Sequence, residues 1–285
     1  MGRIKRVACI NDICGFGRCS LTTAIPILSV IGVQPCPVPT AILSKHTGFE
    51  SFTFSDFTPQ LPEYLSDLAS VDFDGIYSGF LGSAEQIMIV EDMLRGHSGS
   101  IKLVDPVMGD NGKVYATYTK RMCAEMRRLT AAADIITPNI TEACILTSSE
   151  YAGEDITADT ASGLAEQLSH GGQTAVVITG ITDGRMMTNL TYEKGCVTTA
   201  SFERTDCVYS GTGDIFASVL CGYVMQGCTV AEAAARAGEF VSLATRLTLE
   251  GGSETADGVE FERCLHTLYR HRKTNDTSNL SKELP

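Results

Sequence analysis

Short, strand-forming apolar runs alternate with longer segments of helical periodicity along almost the whole sequence. This alternation is typical of α/β folds, in which a mainly parallel sheet is buried between helices on both faces. The sequence predicts strands at residues 3–10, 33–37, 75–78, 101–104, 134–137 and 174–179, then a hairpin of residues 185–192 and 196–203. It predicts helices at residues 20–31, 58–70, 83–96, 119–132, 139–148, 157–170, 213–226, 229–249 and 259–272. We therefore expect a three-layer α/β sandwich.

The domain organisation follows from length and from the absence of dividing segments. The 285 residues are 44% hydrophobic, which is enough to bury one large core. No internal repeat and no linker rich in Pro, Gly or Ser interrupts the sequence. We therefore predict a single domain at residues 1–272, followed by a polar C-terminal tail at residues 273–285.

Charge and cysteine usage exclude several classes of function. The net charge of −12 disfavours nucleic-acid binding through phosphate contacts, so an anionic ligand must be held by local groups. No apolar run reaches the roughly 18 residues needed to cross a bilayer. The eleven cysteines stand singly, without a CxxC pair or a zinc-site spacing, and we interpret them as reduced, mostly buried thiols. These features predict a cytoplasmic protein that binds neither nucleic acid nor membrane.

A glycine-rich turn precedes the helix predicted at residues 213–226. The segment YSGTGDIFA, residues 209–217, places Gly211 and Gly213 directly before an apolar run of helical spacing. Glycines permit backbone angles at which consecutive N–H groups converge on one point, where the positive end of the helix dipole also acts. Asp214 stands beside this predicted anion site, where a carboxylate suits a general base that deprotonates a hydroxyl attacking phosphorus. A glycine turn with a capping Asp is the alternative.

Polar residues follow the predicted strands, at the edge where open parallel sheets bind ligands. They are Asn11, Asp12, Ser78, Gly79, Asp105, Asn139, Glu142, Thr179 and Gly180. Asp105 and Asp110 flank the turn-rich run DPVMGD, and such carboxylates suit Mg²⁺, which takes one or two of them beside substrate phosphates. Asp110 also fits an ordinary turn. Asn139 with Glu142 equally fits simple helix capping.

Two nucleotide-binding motifs match only in part. Residues 15–20, GFGRCS, nearly match the dinucleotide fingerprint, but residues 35–43 contain no acid that would bind a ribose. The alternative is therefore an NAD-dependent oxidoreductase whose dinucleotide site is built on this turn but lacks the acid that binds the ribose. A P-loop is excluded because Val107 stands where its first glycine should be and Val114 follows Lys113. His46, in the loop after the second strand, either meets a substrate or is an ordinary solvated residue.

Four motifs together resemble pyridoxal kinases of the ribokinase superfamily. They are SGFLGS at 78–83, DPVMGDNGK at 105–113, TPNITE at 137–142 and GTGD at 211–214, in matching order and spacing. The resemblance implies one ribokinase-like α/β domain that usually forms a homodimer. It implies a kinase that uses MgATP, with K⁺ or Na⁺ as a candidate assisting ion. The acceptor would be the 5′-hydroxymethyl group of pyridoxal, pyridoxine or pyridoxamine.

The resemblance also implies roles for the matching residues. Asp214 would be the base, and the amides of Gly211, Thr212 and Gly213 would bind the transferred phosphoryl group. The residues around the metal ions and ATP phosphates would be Asp105, Asp110, Asn139 and Glu142, with Asp105 and Glu142 as metal ligands. Thr179 would lie beside the nucleotide, which residues 109–115 would cover. The vitamin pocket would be lined by Asn11, Thr47 and Phe80.

The substrate half departs from the pattern of these kinases. Asn11 stands where Ser is common, and Phe80 stands where Tyr commonly follows the Ser-Gly pair. A related branch phosphorylates hydroxymethylpyrimidine in thiamine synthesis, and Phe80 can stack on either ring. Hydroxymethylpyrimidine kinase and a non-catalytic vitamer-binding protein therefore stay open as alternatives, although a carrier has no need of a base at an anion site.

Overall fold

The chain follows the predicted alternation of strands and helices. A computed structural model describes residues 3–151, 153 and 156–269, so the predicted tail at residues 273–285 lies outside the described part. The strands are β1 (Arg6–Cys14), β2 (Gln34–Leu43), β3 (Phe54–Asp56), β4 (Gly75–Ser78), β5 (Ile101–Val104), β6 (Gly109–Asp110), β7 (Lys113–Val114), β8 (Ile135–Ile136), β9 (Ala175–Asp183), β10 (Met186–Glu193) and β11 (Cys196–Glu203). The helices are α1 (Ser20–Ile31), α2 (Leu61–Asp67), α3 (Ala84–Gly96), α4 (Lys120–Ala131), α5 (Ile140–Thr147), α6 (Ala158–Leu168), α7 (Thr212–Met225), α8 (Val230–Gly251) and α9 (His266–Tyr269).

Nine of the strands form one sheet in the order β11-β10-β9-β8-β5-β4-β1-β2-β3. The pairs from β2 through β9 are parallel. The strands β3, β10 and β11 join antiparallel at the two edges. The sheet is therefore mainly parallel, as predicted, and the remaining strands β6 and β7 form a separate hairpin.

Successive residues of the central strands face opposite layers of helices. Val7 and Cys9 of β1 belong to one apolar core, whereas Ala8 and Ile10 belong to the other. The first core includes α1, α7 and α8, and the second includes α2 to α6. The three predicted layers are therefore present, with a buried sheet in the middle.

The second strand is longer than predicted, despite three prolines. It runs to Leu43 and contains Pro35, Pro37 and Pro39 at alternate positions. Alternate residues of a strand point their N–H groups to the same side, so the three missing donors share one side. That side can be the open edge, because β3 pairs only with Ala41–Leu43. Proline at an edge costs no ladder hydrogen bond, and the strand continues.

The helix predicted at residues 259–272 is wrong for the described part of that range. A 3₁₀ helix at Phe261–Arg263 and the short α9 replace it. The amide of Glu260 donates to Thr248 Oγ1 (2.8 Å), and Phe261 is buried in the first core. These contacts with α8 override the helical periodicity of the segment.

The cysteines agree with the prediction of reduced, mostly buried thiols. All eleven lie within the described residues as free thiols, and six are buried. Within the same ranges, no helix combines the length and the apolar composition that crossing a membrane requires.

Candidate active site

The candidate site lies at the carboxyl ends of the parallel strands. The amide of Phe80 donates to Asn11 Oδ1 (2.8 Å), which joins the ends of β4 and β1. A β-bridge joins Asn139, which follows β8, to Thr179; Thr179 and Gly180 lie inside β9 and not after it. The predicted polar residues therefore meet at one edge. Asn11 and Asp12 lie inside β1 and not after it, at a register shift against β2 that re-aims side chains near the site.

The start of α7 forms an open corner at this edge. Gly211 caps the helix in the left-handed region, with φ 83°. The amides of Thr212, Gly213 and Asp214 have no acceptor within the helix, because its first N–H groups precede any carbonyl in register. Apart from the adjacent residues and the backbone of α7 itself, no described atom lies within 4 Å of the position that a Cβ on Gly213 would occupy. The corner therefore presents free amides and the positive helix end to an incoming anion.

The turn after β1 packs directly against this corner. A Cβ on Gly211 would overlap the carbonyl oxygen of Arg18, and a Cβ on Gly258 would lie 3.0 Å from the Arg18 amide nitrogen. The partial dinucleotide motif at residues 15–20 thus forms a wall of the Gly211 turn. Glycine is required at 211 for both its backbone angle and this close approach.

Two N–H groups face the Asp214 carboxylate. Asn11 Nδ2 donates to Asp214 Oδ1 over 3.3 Å, and the backbone amide of Ser20 lies close enough to lower the pKa of the carboxyl. Burial raises the pKa of Asp214 to about 6, the nearby Asp12 carboxylate adds to the rise, and both N–H groups oppose it. Such a carboxylate is ionised at neutral pH and still basic enough to take a proton.

Asp105 follows β5 and faces Asp214. Thr137 Oγ1 donates to Asp105 Oδ1 (2.9 Å), which fixes the carboxylate. Burial raises the pKa of Asp105 to about 7, with a further contribution from the charge of Asp214. Two carboxylates that share one site disfavour double ionisation, so a cation between them would be stabilising.

Glu142 and Asn139 form the capping box of α5, as the capping interpretation of this motif predicted. Asn139 Oδ1 accepts from the Glu142 amide and Glu142 Oε2 accepts from the Asn139 amide, both over 2.9 Å. Glu142 Oε1 accepts from the Met108 amide (3.1 Å), and Asn139 Nδ2 donates to Gly109 O (2.9 Å). Burial, with a contribution from Asp105, raises the pKa of Glu142 well above its usual range. The cap therefore also places the Glu142 carboxylate near Asp105, so that Glu142 is the third carboxylate of the site after Asp214 and Asp105.

The hairpin β6–β7 projects from this cap. Its tip has Asn111 at φ 50° and Gly112 at φ 73°, and Asp110 accepts from the Asn111 amide (2.8 Å). The turn interpretation of Asp110 and Asn111 is therefore correct, and Asp110 remains exposed for a ligand. Thr141 Oγ1 accepts from the Gly112 amide (2.9 Å) and ties the tip to α5. Sequence reasoning missed Thr141, although it lies inside the TPNITE motif.

His46 is neither a solvated residue nor free to bind a substrate. It is 8% exposed, its Nδ1 accepts from the Gly48 amide (3.1 Å), and its Nε2 bonds Ala256 O (2.8 Å). The proton therefore lies on Nε2. A Cβ on Gly17 would overlap the imidazole ring, so the ring also packs against the backbone of Gly17. His46 therefore connects its own loop to the loops that contain Gly17 and Ala256. Thr47, which follows it, is exposed.

The raised pKa of Asp105 predicts an unusual pH dependence of stability. The native carboxyl has a pKa of about 7 against an ordinary value of 3.8, so the native state binds more protons in that window. The free energy of unfolding should therefore fall as pH rises from about 4 to about 7, by roughly 2–4 kcal/mol. Thermal unfolding of the wild type and Asp105→Asn, without ATP or metal, measures this. The variant should show the shallower slope, and equal slopes would contradict the assignment.

The geometry can be compared with known proteins. The sequence profile of the phosphomethylpyrimidine kinases matches residues 25–257. The chain belongs to the phosphomethylpyrimidine kinase family. As a kinase, it fulfils the prediction of a phosphotransferase, and the oxidoreductase alternative is left without support.

Two relatives of known structure share the fold of this kinase, and a third relative is matched by sequence. A protein of Bacteroides thetaiotaomicron, provisionally described as a phosphomethylpyrimidine kinase and crystallised with pyridoxal, is 36% identical, with a TM-score of 0.88 over 93% of this chain and 96% of its own. Pyridoxal kinase of Lactobacillus plantarum is 27% identical, with a TM-score of 0.87 over 94% and 98%. Pyridoxal kinase of Deinococcus radiodurans is 25% identical over 94% of this chain and 96% of its own. The ribokinase-like fold is confirmed, and the roles of single residues stay predictions.

Proposed function

We propose that this kinase transfers the γ-phosphoryl group of ATP to the 5′-hydroxymethyl group of pyridoxal, pyridoxine or pyridoxamine. The observation that carries the proposal is the Asp214 carboxylate at the open start of α7, beside amides that suit a phosphoryl group. An alcohol acceptor needs such a base, because its proton must leave as it attacks phosphorus. The choice of vitamin is supported by the two pyridoxal kinases and the pyridoxal complex among the relatives.

The reaction places each charge beside a group that stabilises it. The acceptor oxygen bonds to the γ-phosphorus as the bond from that phosphorus to the β,γ-bridging oxygen breaks, and ADP leaves. The acceptor proton passes to Asp214. The amides of Gly211, Thr212 and Gly213 face the negative charge on the equatorial oxygens, as backbone donors do in other anion holes.

Mg²⁺ fits the acidic side of the site. Asp105 and Glu142 are buried at 7% and 4% exposure and are close enough for one charge to raise the pKa of the other. When bound, Mg²⁺ supplies charge neutralisation to the ATP phosphates. Asp105 and Glu142 would hold it, with the Glu142 carboxylate oriented by the amides of Met108 and Asn139.

The other predicted binding residues belong to the same proposal. Asp110 and Asn139 lie at the hairpin and the α5 cap, where they flank the ATP phosphates. Thr179, bridged to Asn139, lies beside the nucleotide. Thr47 and the half-buried ring of Phe80 contact the vitamin, with Phe80 stacking on it. From the resemblance we also expect that a monovalent ion, K⁺ or Na⁺, assists the kinase and that the kinase forms a homodimer. From the composition we expect a cytoplasmic location.

Hydroxymethylpyrimidine is the second candidate acceptor, because the matching family is described as phosphomethylpyrimidine kinase. It carries the same reacting hydroxymethyl group on a six-membered aromatic ring. The two candidates therefore share the reacting group and differ in the ring and its other substituents, which the vitamin pocket recognises, and side-by-side rates separate them.

We expect ATP-dependent phosphorylation of pyridoxal, pyridoxamine or pyridoxine with a kcat/KM at least about tenfold above that for hydroxymethylpyrimidine. The measurement is a coupled assay of ADP release with each acceptor at matched concentrations, with and without Mg²⁺. A preference for the pyrimidine would instead establish the second candidate. If none of the acceptors causes ADP release while a vitamer still binds, the protein is a non-catalytic carrier.

A further inference from the structure

The side chain of Asn11 connects β1 to the candidate base. Its Nδ2 donates to Asp214 Oδ1 over 3.3 Å, from a position 203 residues earlier in the chain. Its Oδ1 accepts from the amide of Phe80 (2.8 Å) and from the amide of Asp12 (3.0 Å). The oxygen of the side-chain amide is thus held by two main-chain donors while its nitrogen faces the carboxylate.

Packing and bonding leave this amide one orientation. Asn11 is 1% exposed, and a Cβ on Gly79 would overlap the amide, so the amide packs directly against the backbone of Gly79. Turning the amide over would set Nδ2 against the two N–H donors and Oδ1 against the carboxylate of Asp214. Every contact would then be repulsive, which decides the assignment of oxygen and nitrogen.

We propose that Asn11 is a positioning residue, which holds the Asp214 carboxylate in the orientation from which it accepts the proton of the substrate hydroxyl. The inference rests on the proposed function, because it requires Asp214 to be the base. It also deepens that function. Both lone pairs of Asn11 Oδ1 are used by main-chain amides, so this oxygen cannot accept from a vitamin hydroxyl.

The remaining groups around Asp214 do not supply this restraint. The titratable groups that face it are Asp12, Asp105, Tyr77 and Tyr115. The two carboxylates repel Asp214, and the two phenols respond to its charge without bonding to it in the described structure. The Ser20 amide, which lowers the pKa of Asp214, belongs to the main chain. Among the side chains of the described ranges, Asn11 is the one that hydrogen-bonds the Asp214 carboxylate.

A double-mutant cycle tests the proposal. Asn11→Asp keeps an oxygen for the amides of Asp12 and Phe80, replaces the nitrogen that faces Asp214 with a carboxylate oxygen, and adds a negative charge there. In the otherwise wild-type kinase, we expect kcat with pyridoxal to fall about tenfold to hundredfold, as the loss of a hydrogen bond to a charged group predicts. KM for pyridoxal and for ATP should change by less than about twofold, because the ground-state contacts stay.

The second arm repeats the substitution in the Asp214→Asn background. There it should lower kcat by less than about twofold, because no carboxylate remains to be positioned. Equal losses in the two backgrounds, or a raised KM for pyridoxal with unchanged kcat, would overturn the proposal. A failure of the proposed function is distinguishable, since it would appear as normal turnover of Asp214→Asn alone.

Two additional variants keep the result interpretable. Gln34→Glu makes the same amide-to-carboxyl change at the opposite end of the sheet, beside Arg6, and should leave all constants unchanged. Asn11→Ala is carried through the same cycle in every case, so that the loss of the donor is measured apart from the added charge of Asn11→Asp. It removes the donor without adding charge, and the same pattern of unequal losses is expected.

Discussion

The Asp214→Asn variant is expected to lose at least about a hundredfold in kcat, and up to about ten-thousandfold, while it still binds ATP. The amide keeps the shape of the carboxylate and its place beside Asn11, but it cannot accept a proton. With its pKa near 6, the native carboxylate is mostly ionised at pH 7.5, so the wild type has its base available. Removing a negative charge beside the anion corner should, if anything, tighten ATP binding.

Steady-state rates with pyridoxal and a direct ATP-binding measurement check this result together. The matched control is Asp67→Asn, which removes an exposed carboxylate at the end of α2 and should leave both quantities unchanged. Near-normal turnover of Asp214→Asn would remove Asp214 from the mechanism. Loss of ATP binding along with turnover would instead point to a structural role for the carboxylate.

Gly211→Ala is expected to abolish most activity and to destabilise the fold. The backbone at 211 has φ 83°, where a side chain costs roughly 1–2 kcal/mol. The added Cβ would also overlap the carbonyl oxygen of Arg18, so the turn must move. Moving the turn displaces the amides of the anion corner, and loss of one such donor typically costs a hundredfold to a thousandfold in kcat. We therefore expect kcat to fall at least about a hundredfold.

The control for this substitution lies at the other end of the same helix. Gly227 has φ 89°, and apart from its two chain neighbours no described atom lies within 4 Å of the position that its Cβ would take. Gly227→Ala should therefore lose stability through its positive φ angle, without a clash, and its kcat should stay unchanged. Thermal unfolding and kcat of the two variants, measured side by side, separate the two contributions. Similar behaviour of both variants would contradict the claim that the Arg18 contact matters.

Local sequence signals predicted much of the fold because the interactions behind them are local. Apolar periodicity and capping residues located α1 and α3 to α8 to within about two residues, and the Gly211 turn was visible from its glycines. The extension of β2 was missed, because proline disfavours a strand unless its missing N–H faces an open edge. Which edge stays open is a property of the whole sheet, and no local window contains it.

The site shows the same division between local and distant interactions. The capping box of Asn139 and Glu142 was predictable because its partners are three residues apart. The bond from Asn11 to Asp214 joins residues at opposite ends of the chain. The burial of His46 depends on Gly17 and on the carbonyl of Ala256, neither of which its own loop reveals. The polar residues at the strand ends were the only signal that such contacts would form.

The most direct test of the central claim follows the phosphoryl group itself. ATP labelled with ¹⁸O at the three non-bridging γ-oxygens is incubated with the kinase, Mg²⁺ and pyridoxal. The products are then separated, and their masses are measured by mass spectrometry. The account predicts that all three labelled oxygens appear in the 5′-phosphate ester of pyridoxal, together with one ADP per ester. Label recovered only in inorganic phosphate, with pyridoxal unchanged, would contradict it.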